Sequence, residues 1–167
     1  MTTAANEERD ERTIEELLAP GRSIAMVMTM VGDAHTSRPV TVVEVLGDRL
    51  SFLVSRDVEW VDEIAHGRAV VHVSVSDTEH NTYLSLEGTG SVIVDQAERE
   101  RLWTPVAKGW FTGPDDPALA VLRFDVTGGQ WWDGPSGHVR RGLALLRAAV
   151  TGNGADAGAS GSVATSS

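Results

Sequence analysis

Apolar residues recur along this chain with a spacing that switches between about two and about 3.6, and each switch delimits an element. Ile14, Leu17 and Leu18 lie three and four apart, which predicts a short helix ended by Pro20 and Gly21. Residues 24–31 read IAMVMTMV, an apolar run too short for a typical helix and predicted to be a strand buried on both faces. A loop is expected over residues 32–37. Residues 39–46 (PVTVVEVL) and 49–54 (RLSFLV) are β-branched or alternating, and Gly47-Asp48 between them suits a two-residue type II′ turn, so together they predict a hairpin.

Residues 57–66 then place Trp60, Val61 and Ile64 on one helical face, with Gly67 as the stop. Strands are predicted over 68–75, over 83–94 with a bend or bulge at Gly88 and Gly90, and over 121–126. Between the last two, Asp95 and Glu98 suggest a capped helix reaching Trp103, and residues 110–117 (WFTGPDDP) a structured loop with exposed aromatics at its start. A C-terminal helix over 139–150 carries Val139, Leu143, Leu146 and Val150 along one side. Its arginines 140, 141 and 147 suit a packed helix with solvated charges; a basic surface for an anionic membrane or acidic partner is the alternative. Residues 1–12 are expected to be a flexible acidic start, 13–151 one domain and 152–167 a disordered Gly/Ala/Ser-rich tail. About six short strands flanked by helices point to a mainly β (α+β) barrel.

Composition narrows the function classes. A chain of 167 residues suffices for one sizeable core and is short for two domains. With 24 acidic against 14 basic side chains and a formal net charge of −10, nucleic acid is not an expected partner. Cysteine is absent, which excludes disulfides, thiolate metal sites and cysteine nucleophiles, and suits a cytoplasmic location. The start MTTAANEERDERTIEE has no secretory apolar stretch and no run approaches the ~20 apolar residues of a span, so neither export nor a membrane is expected. The five histidines, at 35, 66, 72, 80 and 138, lack metal-ligand spacing, so no metal is expected. Nucleophile-elbow, P-loop and dinucleotide glycine motifs are also missing.

Three features remain as candidates. Arg38, in Ser37-Arg38-Pro39-Val40, offers a planar fork of donors at the mouth of a strand, suited to a phosphate or to ring carbonyl oxygens; the plainer alternative is an edge arginine beside a strand-starting proline. Ser55-Arg56-Asp57 precedes a helix and presents either an anion site or a simple cap. Five tryptophans, at 60, 103, 110, 131 and 132, stand near element ends, where they suit aromatic walls for a flat ligand or anchors of a core or interface; Trp132 is the expected plain anchor.

Residues 101–133, RLWTPVAKGWFTGPDDPALAVLRFDVTGGQWWD, carry in order a Leu-Trp-x-Pro, a Lys-x-Trp-Phe, a Gly-Pro-Asp-Asp-Pro and a closing Trp-Asp. This series resembles the general stress protein branch of the pyridoxamine 5'-phosphate oxidase superfamily. Arg38-Pro39, Phe52, Arg56-Asp57 and Val61-Asp62-Glu63-Ile64 fall in the family's order, so the resemblance spans about residues 12–150. It implies a six-stranded split β-barrel that forms a homodimer with a flavin, usually FMN, at the subunit interface. It further implies Arg38, Pro39 and Val40 against the isoalloxazine, and Phe52, Val54, Ser55 and the following helix toward the ribityl phosphate; on the residues themselves, Arg56 is a further cation for that phosphate, and Trp60 and Trp110 are candidate aromatic walls.

The chain departs from the family at the phosphate end. Where the family commonly has threonine, serine and lysine, this sequence reads Val54, Val58 and Trp60. Each charge-assisted bond lost is worth about 1.5–3 kcal/mol, a large share of a micromolar affinity. Two functions follow as expectations: a flavin-dependent oxidoreductase using FMN, or FAD or a deazaflavin, on a small molecule; and a non-catalytic stress or interaction barrel that has lost the phosphate site.

Overall fold

Alternation along β1 (Ile24–Val31) sets the inside of the fold. Ala25, Val27 and Thr29 are buried, whereas Ile24 and Met26 are 60% and 40% exposed. The expectation of a strand buried on both faces is thus corrected: methionine at alternate positions makes the run look uniformly apolar while one side faces out. The computed structural model describes residues 12–67, 70–133, 159–163 and 165. The predicted C-terminal helix over 139–150 lies outside them.

Six strands close into an antiparallel barrel. They are β1, β2 (Ala34–Leu46), β3 (Arg49–Ser55), β4 (Val70–Asp77), β5 (Thr82–Ile93) and β6 (Leu119–Asp133), in the order β3-β2-β1-β4-β5-β6, with β6 pairing back onto β3. A barrel needs its inward residues to fall in layers, and the register supplies them. Ala25 faces Val40 and Val75, Val75 faces Leu84, and Leu84 faces Trp131. In the next layer Val27 faces Arg38 and Val73, followed by Leu86 and Gly129. Leu50, Phe52, Val54, Ala120, Leu122 and Phe124 fill the β3–β6 side of the core.

Two strands are longer than their sequences suggest. The loop expected over 32–37 shrinks to Gly32-Asp33, because Gly32 takes a positive φ of 58° and lets β2 begin at Ala34. β6 runs on to Asp133 through Gly128-Gly129, since a Cβ at Gly129 would lie 2.7 Å from the Ser85 carbonyl oxygen and only a bare backbone fits there. The predicted break at Gly88 is present as a register shift between Glu87 and Gly88. In the hairpin, Gly47 takes the positive φ, 56°, that its turn position requires.

α3 (Gln96–Leu102) lies outside the barrel and is fastened by charge. Asp95 caps it by accepting the Glu98 N–H at 3.0 Å. The Glu98 carboxylate accepts from Arg101 at 2.8 and 2.9 Å and from Arg123 of β6 at 2.9 Å, while Arg101 also bridges to Glu44 of β2. These arginines hold the Glu98 carboxyl down at about 2. A folded pKa below the unfolded value gives stability that is present above pH ~4.5 and lost as pH falls toward 2. Glu98→Gln is expected to flatten that acid limb, read as urea midpoints between pH 5 and 2.5; an unchanged acid limb would contradict the assignment.

The two ends of the barrel are closed differently. At the Thr29 end, α2 (Glu59–Ala65) lies across the opening and sends Val61 and Ile64 into the core; a Cβ on Gly90 would touch Ile64 at 3.4 Å. At the Ala25 end, α1 (Ile14–Leu17) buries Ile14 beside Trp131, and β7 (Ala159–Ser162) pairs with the last residues of β6. Within the stretch expected from sequence to be a disordered tail, Ala159–Ser162 form β7: β6 outruns β3 and leaves an edge that β7 takes. Arg12, placed by sequence in the flexible start, stacks 4.3 Å over Trp131 and forms a parallel bridge with Val163. Trp131 is fully buried and is the core anchor, whereas Trp132, the anchor expected from sequence, is 42% exposed on the opposite face of the strand.

Candidate functional site

Because Arg38 pairs with Val27, its side chain starts from the inward face of β2. A guanidinium there must find acceptors or reach water. It does so at the Thr29 end, where Nη1 donates to Thr29 Oγ1 at 2.7 Å and to the Val27 carbonyl oxygen at 3.4 Å, and Nη2 donates to Thr36 Oγ1. The guanidinium carbon stands 4.5 Å from the centroid of the Trp60 ring, a cation–π contact that joins β2 to α2. Burial lowers the Arg38 pKa from its ordinary value. Both Arg38 and Trp60 are half-buried, so a flat, oriented pair sits where one end of the barrel meets solvent.

A second group gathers at the turn between β3 and α2. Ser55 Oγ accepts the Asp57 N–H at 3.3 Å, and the Arg56 N–H donates to the Ala118 carbonyl oxygen at 2.8 Å. That bond ties the turn to the end of the 110–117 loop, which is itself held by Asp116, whose carboxylate accepts from Thr112 N–H at 2.9 Å and Thr112 Oγ1 at 3.0 Å. Trp110 stands 74% exposed at the start of this loop, after the 3-10 turn Pro105–Gly109. Among the described residues no hydrogen bond or ring contact joins it to Arg38 or Trp60.

The profile of the family described as pyridoxamine 5'-phosphate oxidase like matches residues 9–156. The chain belongs to this family. Solved structures agree on the fold. The chain is 26% identical to a general stress FMN/FAD binding protein from Xanthomonas citri, with a TM-score of 0.62 and coverage of 71% of this chain and 84% of the other. It is 32% identical to a protein named to the general stress family from Xanthomonas campestris pv. campestris, with a TM-score of 0.56 and coverage of 69% and 81%. General stress protein 26 from Bacillus anthracis superposes with a TM-score of 0.59 at 19% identity, covering 66% and 84%. No curated protein matches the sequence.

Within this pyridoxamine 5'-phosphate oxidase-like chain, the residues singled out from sequence separate into three places. Arg38 and Trp60 meet; Ser55 and Arg56 share the neighbouring turn, with the Trp110 loop anchored beside them; and Phe52 and Val54 are buried in the core. Val40 is half-buried against that core, while Pro39 faces outward opposite Met26. Thr29 and Thr36, which hold the guanidinium, are missing from the sequence-derived site. For Thr29 the signal is a hydroxyl at the third inward position of an otherwise apolar strand, readable only once the register of β1 is known; Thr36, in the polar start of β2, has none.

Proposed function

We propose that this chain binds a flavin at the Arg38–Trp60 end of its barrel and acts as a flavin-dependent oxidoreductase, with FMN the first flavin to test and FAD or a deazaflavin as alternatives. The observation that carries the reading is the stack itself, a guanidinium 4.5 Å from an indole centroid at a barrel mouth. The name of the Xanthomonas citri relative, an FMN/FAD binding protein, supports it. The residues present fit the ring of such a cofactor. Arg38 uses three of its five N–H groups on Thr29, Thr36 and Val27, and among the described residues the others are left for ring carbonyl oxygens.

A bound flavin supplies hydride or electron transfer through its ring, and the protein supplies position and electrostatics. Arg38 would hold the ring by its oxygens, Thr29 and Thr36 fix the guanidinium, and Trp60 screens the mouth from water. A homodimer is part of the proposal. The outer face of β1 presents Ile24, Met26, Met28 and Met30 in one row, flanked by Pro39 of β2 and the exposed Val70 of β4, an apolar surface suited to a second copy. A cytoplasmic location also stays a proposal, resting on the cysteine-free sequence. The substrate is a small molecule that the present residues do not name.

A non-catalytic barrel is the second reading, favoured by Val54, which is buried, and Val58, which starts α2 with no side-chain cap. One experiment separates the two. The purified protein is passed over a sizing column before and after incubation with FMN, FAD and a deazaflavin, and visible absorbance is followed. Flavin absorbance co-eluting with a dimer, and weakened about ten-fold or more in Kd by Arg38→Ala, is the expected result. A colourless protein indifferent to all three leaves the non-catalytic barrel.

A further inference from the structure

Resting on the homodimer reading and not on the flavin, we infer that the outer face of β1 is a methionine oxidation site, and that sulfoxide formed there separates the two copies. The chain has no cysteine and four methionines, and the three within the described residues, Met26, Met28 and Met30, stand at alternate positions of one strand. Alternation puts them on the side opposite the buried Ala25, Val27 and Thr29. Met26 is 40% exposed, Met28 and Met30 are half-buried, and the exposed Ile24 extends the row. Among the described residues, the sulfur that an oxidant can reach is therefore gathered on a single surface.

The surroundings suit a second copy of the chain. Ser37, Pro39 and Thr41 of β2 lie in register with Met28, Met26 and Ile24, and His72 and Ser74 of β4 lie in register with Met28 and Met26 on the other side. None of these carries a carboxylate, ammonium or guanidinium, in a sequence of which 23% is charged. Glu87, in register with His72 one strand further on, leans over Gly128 of β6, where a Cβ would lie 2.9 Å from its Oε1, and so points away from β1. Two chains of net charge −10 repel wherever their acids meet, and a two-fold contact sets a patch against itself, so the uncharged row is where copies approach with least repulsion. Thioethers suit such a contact because they pack as apolar, adaptable groups. Oxidation reverses that. A peroxide transfers one oxygen to the sulfur, which gains an S–O bond and loses two electrons, while the O–O bond breaks and the second oxygen leaves as water. The sulfoxide is polar, and three in each copy would turn the shared face from apolar to polar.

The test follows the full chain by sedimentation velocity across a concentration series, before and after limited hydrogen peroxide. Peptide mass spectrometry locates the added oxygens, and far-ultraviolet circular dichroism reports the fold. Sulfoxide on Met26, Met28 and Met30 is expected to weaken self-association at least about ten-fold with the fold retained. The triple variant Met26→Leu, Met28→Leu, Met30→Leu keeps the apolar volume and has no sulfur on this face; it is expected to associate like the parent and to be unaffected by peroxide. Met28→Glu is expected to separate the copies with no oxidant. A chain that carries these sulfoxides and associates as tightly as before overturns the inference, as does a triple variant that peroxide still separates, or dissociation that comes only with loss of the fold. A parent that is monomeric at every concentration before oxidation overturns the homodimer reading and the inference with it.

Discussion

Gly88→Ala is expected to destabilise the fold by at least about 3 kcal/mol, one of the two largest effects of a single change in this chain. A methyl group at this position would press into the Asp125 carbonyl oxygen and approach Phe124 Cε2 at 2.8 Å. Both obstacles belong to β6, the strand that β5 pairs with along its whole length and that closes the barrel onto β3. A side-chain tip can turn away; a carbonyl oxygen in a ladder moves only with its strand. Urea unfolding of the variant should show a sharply lowered midpoint or no cooperative transition. Gly109→Ala is the control, because nothing lies within 4 Å of a Cβ there, and it is expected to stay within about 0.5 kcal/mol of the parent. Equal midpoints for the two variants would contradict the close-approach account.

Trp131→Ala is expected to cost a comparable amount, about 3–5 kcal/mol, through loss of apolar contact and the cavity left behind. The indole is fully buried in the core, on a residue in register with Leu84 of β5 and Gly161 of β7. It is also the surface on which Arg12 stacks, a contact worth about 0.5–1 kcal/mol at a partly exposed site. Arg12→Ala should therefore show only that smaller loss, whereas Trp131→Ala also leaves a cavity in the core beneath the strand that β7 pairs with. For a domain of this size the larger loss corresponds to a fall in Tm of about 10 °C, measurable by calorimetry. A Trp132→Ala loss as large as that of Trp131→Ala would mean that the two faces of β6 are wrongly assigned.

The parts of this fold that sequence shows are those whose side chains are selected by local geometry. The Gly47-Asp48 turn, the bulge at Gly88 and the Asp95 cap each use a residue type that the backbone conformation demands, and each is where its residue predicts. What sequence hides depends on partners far along the chain. Adjacent tryptophans 131 and 132 must face opposite sides of a strand, but only the register with Leu84 and Tyr83 says which one goes in. The polar stretch 34–37 looks like a loop because Thr36 and Arg38 satisfy one another and Thr29 across two strands, a pairing with no local signature. β7, with the sequence ASGS, has no apolar pattern at all; it is recruited by the open edge of β6. At the candidate site the same division holds. Arg38 and Trp60 are each conspicuous in the sequence, and their meeting is a product of the barrel's register.

The bridge between Arg12 and Val163 has a consequence for how the molecule is made. Nearly the whole described chain separates these two residues, so the Ala25 end of the barrel cannot be finished until β7 has left the ribosome, even though β1 to β6 are complete by Asp133. During that interval Trp131 and the edge of β6 lack their last covering, and the nascent barrel is open at the end away from Arg38 and Trp60. The Arg38–Trp60 pair and the threonines that hold the guanidinium all lie within residues 27–60, among the earliest described residues to emerge. Synthesis thus supplies the Arg38–Trp60 pair early and the strand that seals the opposite end last.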